Sequence, residues 1–170
     1  MDAQTRRQHI ARRLRESAGP LSAAALAREL SVSRQIIVGD VALLRAGGLD
    51  ITATPRGYVL PGPPAGVVCT FACRHRADQM AEELNAMVDQ GCTVLDVIVE
   101  HPLYGQLTGP LQLASRYDVG QFISRCAEAG ARPLSNLTGG IHLHTLSCPD
   151  EDAFRRVRED LRKLGVLLEG

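Results

Sequence analysis

No run of about 18 or more apolar residues occurs anywhere in the chain, so nothing in it reads as a membrane-spanning helix. The N-terminus, Met1-Asp2-Ala3-Gln4-Thr5-Arg6-Arg7, lacks the basic, apolar and small-residue order of a signal peptide. A soluble, cytoplasmic protein without a membrane partner is expected. Cys69 and Cys73 lie close together, but no second cysteine pair completes a zinc-ribbon spacing. The five cysteines are odd in number and scattered, which suits small buried residues in a reducing compartment rather than a disulfide framework. Net charge is also absent, with 19 basic and 19 acidic residues, but the balance hides an asymmetry. Residues 1–60 hold nine arginines against five acidic residues, and 61–170 hold ten basic against fourteen acidic ones. Only the first part has the charge to seek an anionic partner.

The chain has 170 residues, 45% of them hydrophobic, enough for one generous domain or two small ones. A first helix is expected over 4–18, where Ile10 and Leu14 repeat at helical spacing among arginines until Gly19-Pro20 stops it. Ser22 suits the N-cap of a short helix over Ala23–Leu30. Ser31-Val32-Ser33 suits the turn before a third helix, in which Ile37, Val41 and Leu44 form a buried stripe and Gly47-Gly48 is the stop. Leu49–Thr54 and Gly57–Leu60 read as strands around the turn Pro55-Arg56. Three helices and a hairpin describe a winged helix-turn-helix, whose third helix enters the major groove of DNA. Arg34 and Gln35 have the chemistry to pair with guanine and adenine. Arg56 at the wing tip can reach a phosphate or the minor groove, a contact that adds affinity without sequence information. The duller alternative is a helical domain that its arginines merely solvate.

Pro61-Gly62-Pro63-Pro64-Ala65-Gly66 has the composition of a semi-rigid linker. It divides a DNA-binding domain at 1–60 from a second domain at 67–170. There, Val67–Ala72 and Thr93–Glu100 read as strands, and Arg76–Gln90, Val119–Ala129 and Glu151–Leu164 as helices. His101–Gly105 reads as a loop, and Val166–Leu168 as a closing strand. The connections are too irregular for a doubly wound sheet, so an α+β fold with a mixed sheet packed by helices is expected.

The stretch Thr138-Gly139-Gly140-Ile141-His142-Leu143-His144-Thr145 organises this second domain. Two glycines end a turn and a strand follows, in which His142 and His144 share one face. Ile141, Leu143 and Leu146 are then expected to serve the core. Two imidazoles on one face are a ready pair of nitrogen ligands for a divalent transition metal, and they are equally at home on a solvated edge strand.

The order of these motifs resembles a family of transcriptional repressors with an N-terminal winged helix-turn-helix and a C-terminal 3H domain, named for its histidines. The likeness runs through Ser33-Arg34-Gln35, Asp40-Val41-Ala42-Leu43-Leu44-Arg45 and Pro55-Arg56-Gly57-Tyr58 in the first domain. In the second it runs through Val88–Gly91, Leu95–Gly105, Ser115–Val119 and Leu134–Thr145. The best-understood members are niacin-responsive repressors of NAD-biosynthesis and niacin-uptake genes. The resemblance implies a divalent transition metal, nickel or alternatively zinc, held by His75, Glu83, His142 and His144. Glu82, beside Glu83, leaves an ambiguity of one residue that the family pattern resolves. It further implies nicotinic acid or a related pyridine carboxylate as effector; His101 at a strand end, Tyr104, and Arg116, whose guanidinium can clamp a carboxylate, are the candidate contacts. Ser33, Arg34, Gln35, Arg45 and Arg56 are the candidate DNA contacts, on a palindromic operator read by a homodimer. The alternatives are that His101 only closes its loop and that Arg116 pairs with Asp118. Gly39 departs from the pattern, because relatives tend to carry a longer polar side chain at that point of the recognition helix.

A ligand-responsive repressor is the leading expectation. A regulator for which the metal itself is the signal would use the same four ligands. An enzyme is not expected. A similar winged domain precedes the catalytic domain of bifunctional biotin ligases, but this chain has no Gly-Arg-Gly-Arg stretch, no tryptophan and too few residues for one.

Overall fold

The computed structural model describes residues 1–170 as two compact units, Met1–Pro63 and Pro64–Gly170. In the first, helices α1 (Ala3–Glu16), α2 (Ala23–Glu29) and α3 (Arg34–Ala46) precede a hairpin of β1 (Thr52–Thr54) and β2 (Gly57–Val59). Each helix starts at a side-chain cap: Asp2, Ser22 and Ser33 accept from the backbone N–H groups of Thr5, Ala25 and Ile36. Ile10, Leu14, Leu26, Ile37, Val41 and Ile51 form the core of this unit. Asp40 is buried beneath α3 and accepts from Arg6 Nε at 2.5 Å, with Arg7 a further 3.5 Å ion-pair partner. Part of the N-terminal positive charge is thus committed to joining α1 to α3. Leu21 exchanges two backbone hydrogen bonds with Tyr58, of 2.9 and 2.8 Å, adding a short third rung to the wing.

The second unit is a β-α-β-β-α-β-α arrangement. Its strands are β3 (Val67–Arg74), β4 (Thr93–His101), β5 (Gly105–Leu113) and β6 (Ile141–Cys148), in the spatial order β3-β6-β4-β5. Helices α4 (Met80–Val88), α5 (Arg116–Glu128) and α6 (Glu151–Lys163) supply Leu84, Met87, Val119, Val157 and Leu161 to a core with Phe71, Val94 and Leu146. The fold class is α+β. The sheet, however, is antiparallel throughout and not mixed. Each helical crossover returns its strand in parallel but leaves a gap, β6 between β3 and β4 and β4 between β5 and β6, so no parallel pair is adjacent.

Three other expectations are corrected. β5 was not expected: the sequence reading assigned no element to residues 106–113, and Gly105, Gly109 and Pro110 are poor strand formers. As an edge strand it tolerates a proline whose missing N–H needs no partner, and it carries an irregularity at Gln112, where φ is 54°. The helix expected over Arg76–Gln90 begins as a 3-10 turn over Ala77–Gln79 before α4. In β6 the facing is the reverse of that expected: Ile141 is 45% exposed, whereas His142 and His144 are each 3% exposed and share the helix-covered face with Leu146 and Cys148. Leu146 lies an even number of residues from both histidines, so it cannot serve a core they face away from. The closing segment pairs with the β3 edge through Arg74 N–H to Val166 and Leu168 N–H to Ala72.

All five cysteines are free thiols. Cys69, Cys92 and Cys148 gather at one end of the core, with sulfur separations to Cys148 of 3.5 and 3.0 Å.

Candidate metal centre and DNA-binding surface

Glu83 projects from the first turns of α4 into the core and is fully buried, while Glu82 beside it is exposed. An isolated buried carboxylate is costly unless it is paired. Three imidazoles surround this one. His75 Nε2 lies 2.7 Å from Glu83 Oε2, His142 Nε2 lies 3.0 Å from Oε1, and His144 Nε2 lies 3.3 Å from Oε2. The rings of His75 and His144 each meet that of His142 edge-on, with centroids 4.8 Å apart.

The far side of each ring fixes its chemistry. His75 Nδ1 lies 2.6 Å from the Arg76 carbonyl oxygen, His142 Nδ1 2.8 Å from that of Gly140, and His144 Nδ1 2.7 Å from that of Asp96. A carbonyl oxygen only accepts, so each Nδ1 carries the proton and donates. A neutral ring then turns its Nε2 lone pair toward the carboxylate. Lone pairs facing carboxylate oxygens at these distances call for a proton or a cation between them. A backbone carbonyl behind each imidazole is also the outer support that metal-binding histidines ordinarily have. Three such nitrogens and a carboxylate suit a divalent first-row ion such as Ni²⁺ or Zn²⁺. Titration behaviour follows the same geometry. Where Nε2 carries a proton instead, burial alone would raise the Glu83 pKa, but hydrogen bonds donated by His142, His144 and His75 outweigh it and hold the carboxyl well below its ordinary range. Burial disfavours a charged His75, yet its bond to Glu83 wins and raises its pKa.

Local backbone features make this convergence possible. Gly139 and Gly140 take φ values of 63° and 96°, and a Cβ on Gly140 would stand 2.5 Å from the His75 carbonyl oxygen. Only glycine lets the turn before β6 pass so near the end of β3. On β4, the pairing with β6 slips between Val94 and Ile98. Asp96 lies in this irregularity, its carbonyl accepting from His144 while its carboxylate accepts from Thr145 N–H at 3.1 Å. Asp96 and the buried Cys73 beside Glu83 are parts of the site that the sequence reading did not assign to it, and the seating of Gly140 against the His75 carbonyl was not foreseen. The Gly-Gly pair was its one available signal.

The proposed effector contacts are not brought together. His101 Nδ1 accepts from Leu103 N–H and Tyr104 N–H at 3.1 and 3.2 Å, closing the β4–β5 turn, and its ring packs 5.1 Å from that of Tyr104. Arg116 begins α5, just beyond the opposite end of β5, where Leu113 pairs with Val94. A nine-residue strand spans about 27 Å, too far for one small molecule to bridge. Arg116 forms a two-pronged pair with Asp89, both bonds 2.6 Å. Asp118 accepts from Ala114 N–H at 3.0 Å.

On the first unit, Arg34 and Gln35 are exposed on the opening turn of α3, and Arg56 is exposed at the wing turn. The Ser33 hydroxyl is occupied as the cap of α3. Arg45 Nε donates to the Ile51 carbonyl at 2.7 Å and its guanidinium sits 5.8 Å from the Tyr58 ring centroid, so it also braces the wing.

Comparison with known proteins agrees with both halves. The 3H domain model matches residues 68–170 and a helix-turn-helix domain model matches residues 6–59. A probable transcription repressor NiaR of Thermotoga maritima is 46% identical over 166 residues, 98% of this chain and 95% of that protein. The transcription repressor NadR of Bacillus subtilis is 40% identical over 168 residues, 96% of this chain and 93% of that protein. Both are regulatory proteins, not enzymes, and no helix of this chain is long and apolar enough to cross a membrane.

Proposed function

The chain belongs to the 3H-domain family of helix-turn-helix transcription repressors, and from that premise we propose that it represses NAD-biosynthesis and niacin-uptake genes in response to nicotinic acid and a bound divalent metal. The observation that carries the regulatory part is the convergence of three Nε2 atoms on the buried Glu83. His75, Glu83, His142 and His144 hold the ion, which supplies a positive charge that the buried carboxylate and the lone pairs otherwise lack. The Arg76, Gly140 and Asp96 carbonyls fix the rings in the ligating tautomer. Arg34 and Gln35 read base edges from α3, and Arg56 holds a phosphate from the wing. A homodimer presents two such helices to a palindromic operator. A ligand that binds the DNA-competent arrangement more tightly raises operator affinity by the ratio of its two affinities.

A second reading, with the metal itself as the signal, is favoured by a specific observation. His101 and Tyr104 stand at one end of β5 and Arg116 at the other, so no pre-formed carboxylate clamp accompanies the four ligands. Operator binding by fluorescence anisotropy separates the two. Metal-loaded and chelated chains are titrated onto a palindrome from upstream of a niacin-transport gene, with nicotinate, nicotinamide or neither. Tightening by nicotinate that disappears in His142→Ala supports the first reading. A response to metal alone supports the second. An absence of DNA binding under every condition would overturn both.

A further inference from the structure

Cys73 is set apart from the other thiols by what surrounds it. In the β3–β6 pairing it stands directly across from His142, and it is fully buried on the same helix-covered face. Its Sγ, a Glu83 carboxylate oxygen and a His142 ring nitrogen lie within 4.8 Å of one another. Cys69 and Cys92 instead have their sulfurs 3.5 and 3.0 Å from that of Cys148.

A divalent cation among these groups would change their charge balance. Three neutral imidazoles bring no charge and Glu83 brings one negative charge, so a dication at this site leaves one uncompensated positive charge. The side chains that would enclose it are at most 4% exposed. An isolated buried charge is expensive. The geometry points to Cys73 as a sulfur ligand that this chain adds to the three imidazoles and the carboxylate, completing a neutral centre with a preference for thiophilic divalent ions. The step is a plain exchange. On metal binding Cys73 would give up its S–H proton to solvent, keep the S–H electron pair as a thiolate and donate through Sγ, with no change of oxidation state. A thiolate raises affinity for Zn²⁺, Co²⁺ or Ni²⁺ over oxygen-seeking ions such as Mn²⁺ or Mg²⁺.

This inference rests on the reading of His75, Glu83, His142 and His144 as a metal site, and the test keeps the two apart. The full chain, stripped with a chelator, is titrated with Co²⁺ while absorption is recorded, and the shell around bound cobalt is measured by X-ray absorption. The expected result is one Co²⁺ per chain, a thiolate-to-cobalt charge-transfer band and one sulfur neighbour. Cys73→Ser and Cys73→Ala should lose the band and the sulfur neighbour yet still take up one Co²⁺, with affinity lowered about 10-fold or more. A wild-type cobalt shell of nitrogen and oxygen only would overturn the proposal without needing any variant to fold. So would a band that persists in Cys73→Ala. If His142→Ala binds Co²⁺ as the wild type does, the metal-site reading itself fails.

Discussion

Replacing Glu83 by glutamine should move metal binding and metal-free stability in opposite directions. The substitution keeps the shape of a side chain that is fully buried and changes only its charge and its donors. In the metal-free chain at mildly alkaline pH, the three histidines donate through Nδ1 to carbonyls and turn Nε2 lone pairs toward a carboxylate that has only lone pairs to offer. A glutamine amide carries two N–H groups, enough for two of those nitrogens. Each neutral hydrogen bond gained is worth about 1 kcal/mol, so the metal-free variant should be as stable as the wild type or more stable by about 1–2 kcal/mol. Metal binding should suffer, because a neutral amide replaces an anionic ligand. Wild-type chain with metal at about a hundred times Kd gains about 2.7 kcal/mol. For a unit of roughly a hundred residues that is about 10–20 °C in Tm. Differential scanning calorimetry with and without Ni²⁺ measures both quantities. A Glu83→Gln chain that keeps the full Ni²⁺-induced shift would show that Glu83 is not a ligand. One that melts far below the wild type without metal would show that the carboxylate attracts its neighbours even in alkaline solution.

The pH dependence of the metal-free wild type sharpens this. Glu83 titrates well below its ordinary value of 4.5, so it contributes stability above that value and loses it as pH falls through its folded pKa. His75 titrates above its ordinary value of 6.5, so its contribution is complete below 6.5 and is lost as pH rises through the folded pKa. Metal-free wild type should therefore be most stable between those limits, and Glu83→Gln should show a flat profile there.

Gly140→Ala changes no ligand, yet a Cβ at that position meets the His75 carbonyl at 2.5 Å. Metal affinity measured by chelator competition should fall about 10-fold or more, and an unchanged value would show that the turn does not set the ring positions. Gly39→Ala meets nothing within 4 Å, so it should stabilise the first unit by about 1 kcal/mol through α3 alone. Urea unfolding followed by circular dichroism tests this, and destabilisation would contradict it. Arg34→Ala should cost about 1–3 kcal/mol of operator affinity and relax one base preference, whereas Arg56→Ala should weaken all sequences alike and lower the salt slope by about 1. Anisotropy against a substituted operator series distinguishes them, and equal effects on every sequence would remove Arg34 from the base-reading set.

The first unit was legible because its signals are local. Ser22 and Ser33 cap helices that begin one residue later, Ile37 and Val41 repeat at helical spacing, and Pro55-Arg56 makes a turn between β-forming runs. Each feature depends on residues a few positions apart, and the chain keeps them in sequence order. The roles of its arginines were less visible, since Arg6 and Arg7 reach Asp40 and Arg45 reaches Ile51 through folding alone. β5 escaped notice for the related reason that its Gly and Pro are disfavoured only where a strand has neighbours on both sides, and edge position is set by the whole sheet.

In the candidate site, the residue types could be named from the family pattern, but the direction in which β6 faces could not be taken from hydropathy. Two histidines at alternate positions look like a polar face, and the adjoining Ile141 and Leu143 look like a core face. The opposite arrangement holds because Glu83, arriving from α4, makes the helix-covered side the one place where buried imidazoles have a partner. Leu146 and Cys148 continue the same face deeper into the core. The pattern therefore inverts where a buried charge must be balanced, and its cause lies 59 residues upstream of His142. Arg116 is the converse case. Its sequence position suggested a carboxylate clamp, and the fold gave it one, but the carboxylate is Asp89 of its own chain. A free effector carboxylate would have to displace a pair of 2.6 Å charge-assisted bonds to use the same guanidinium.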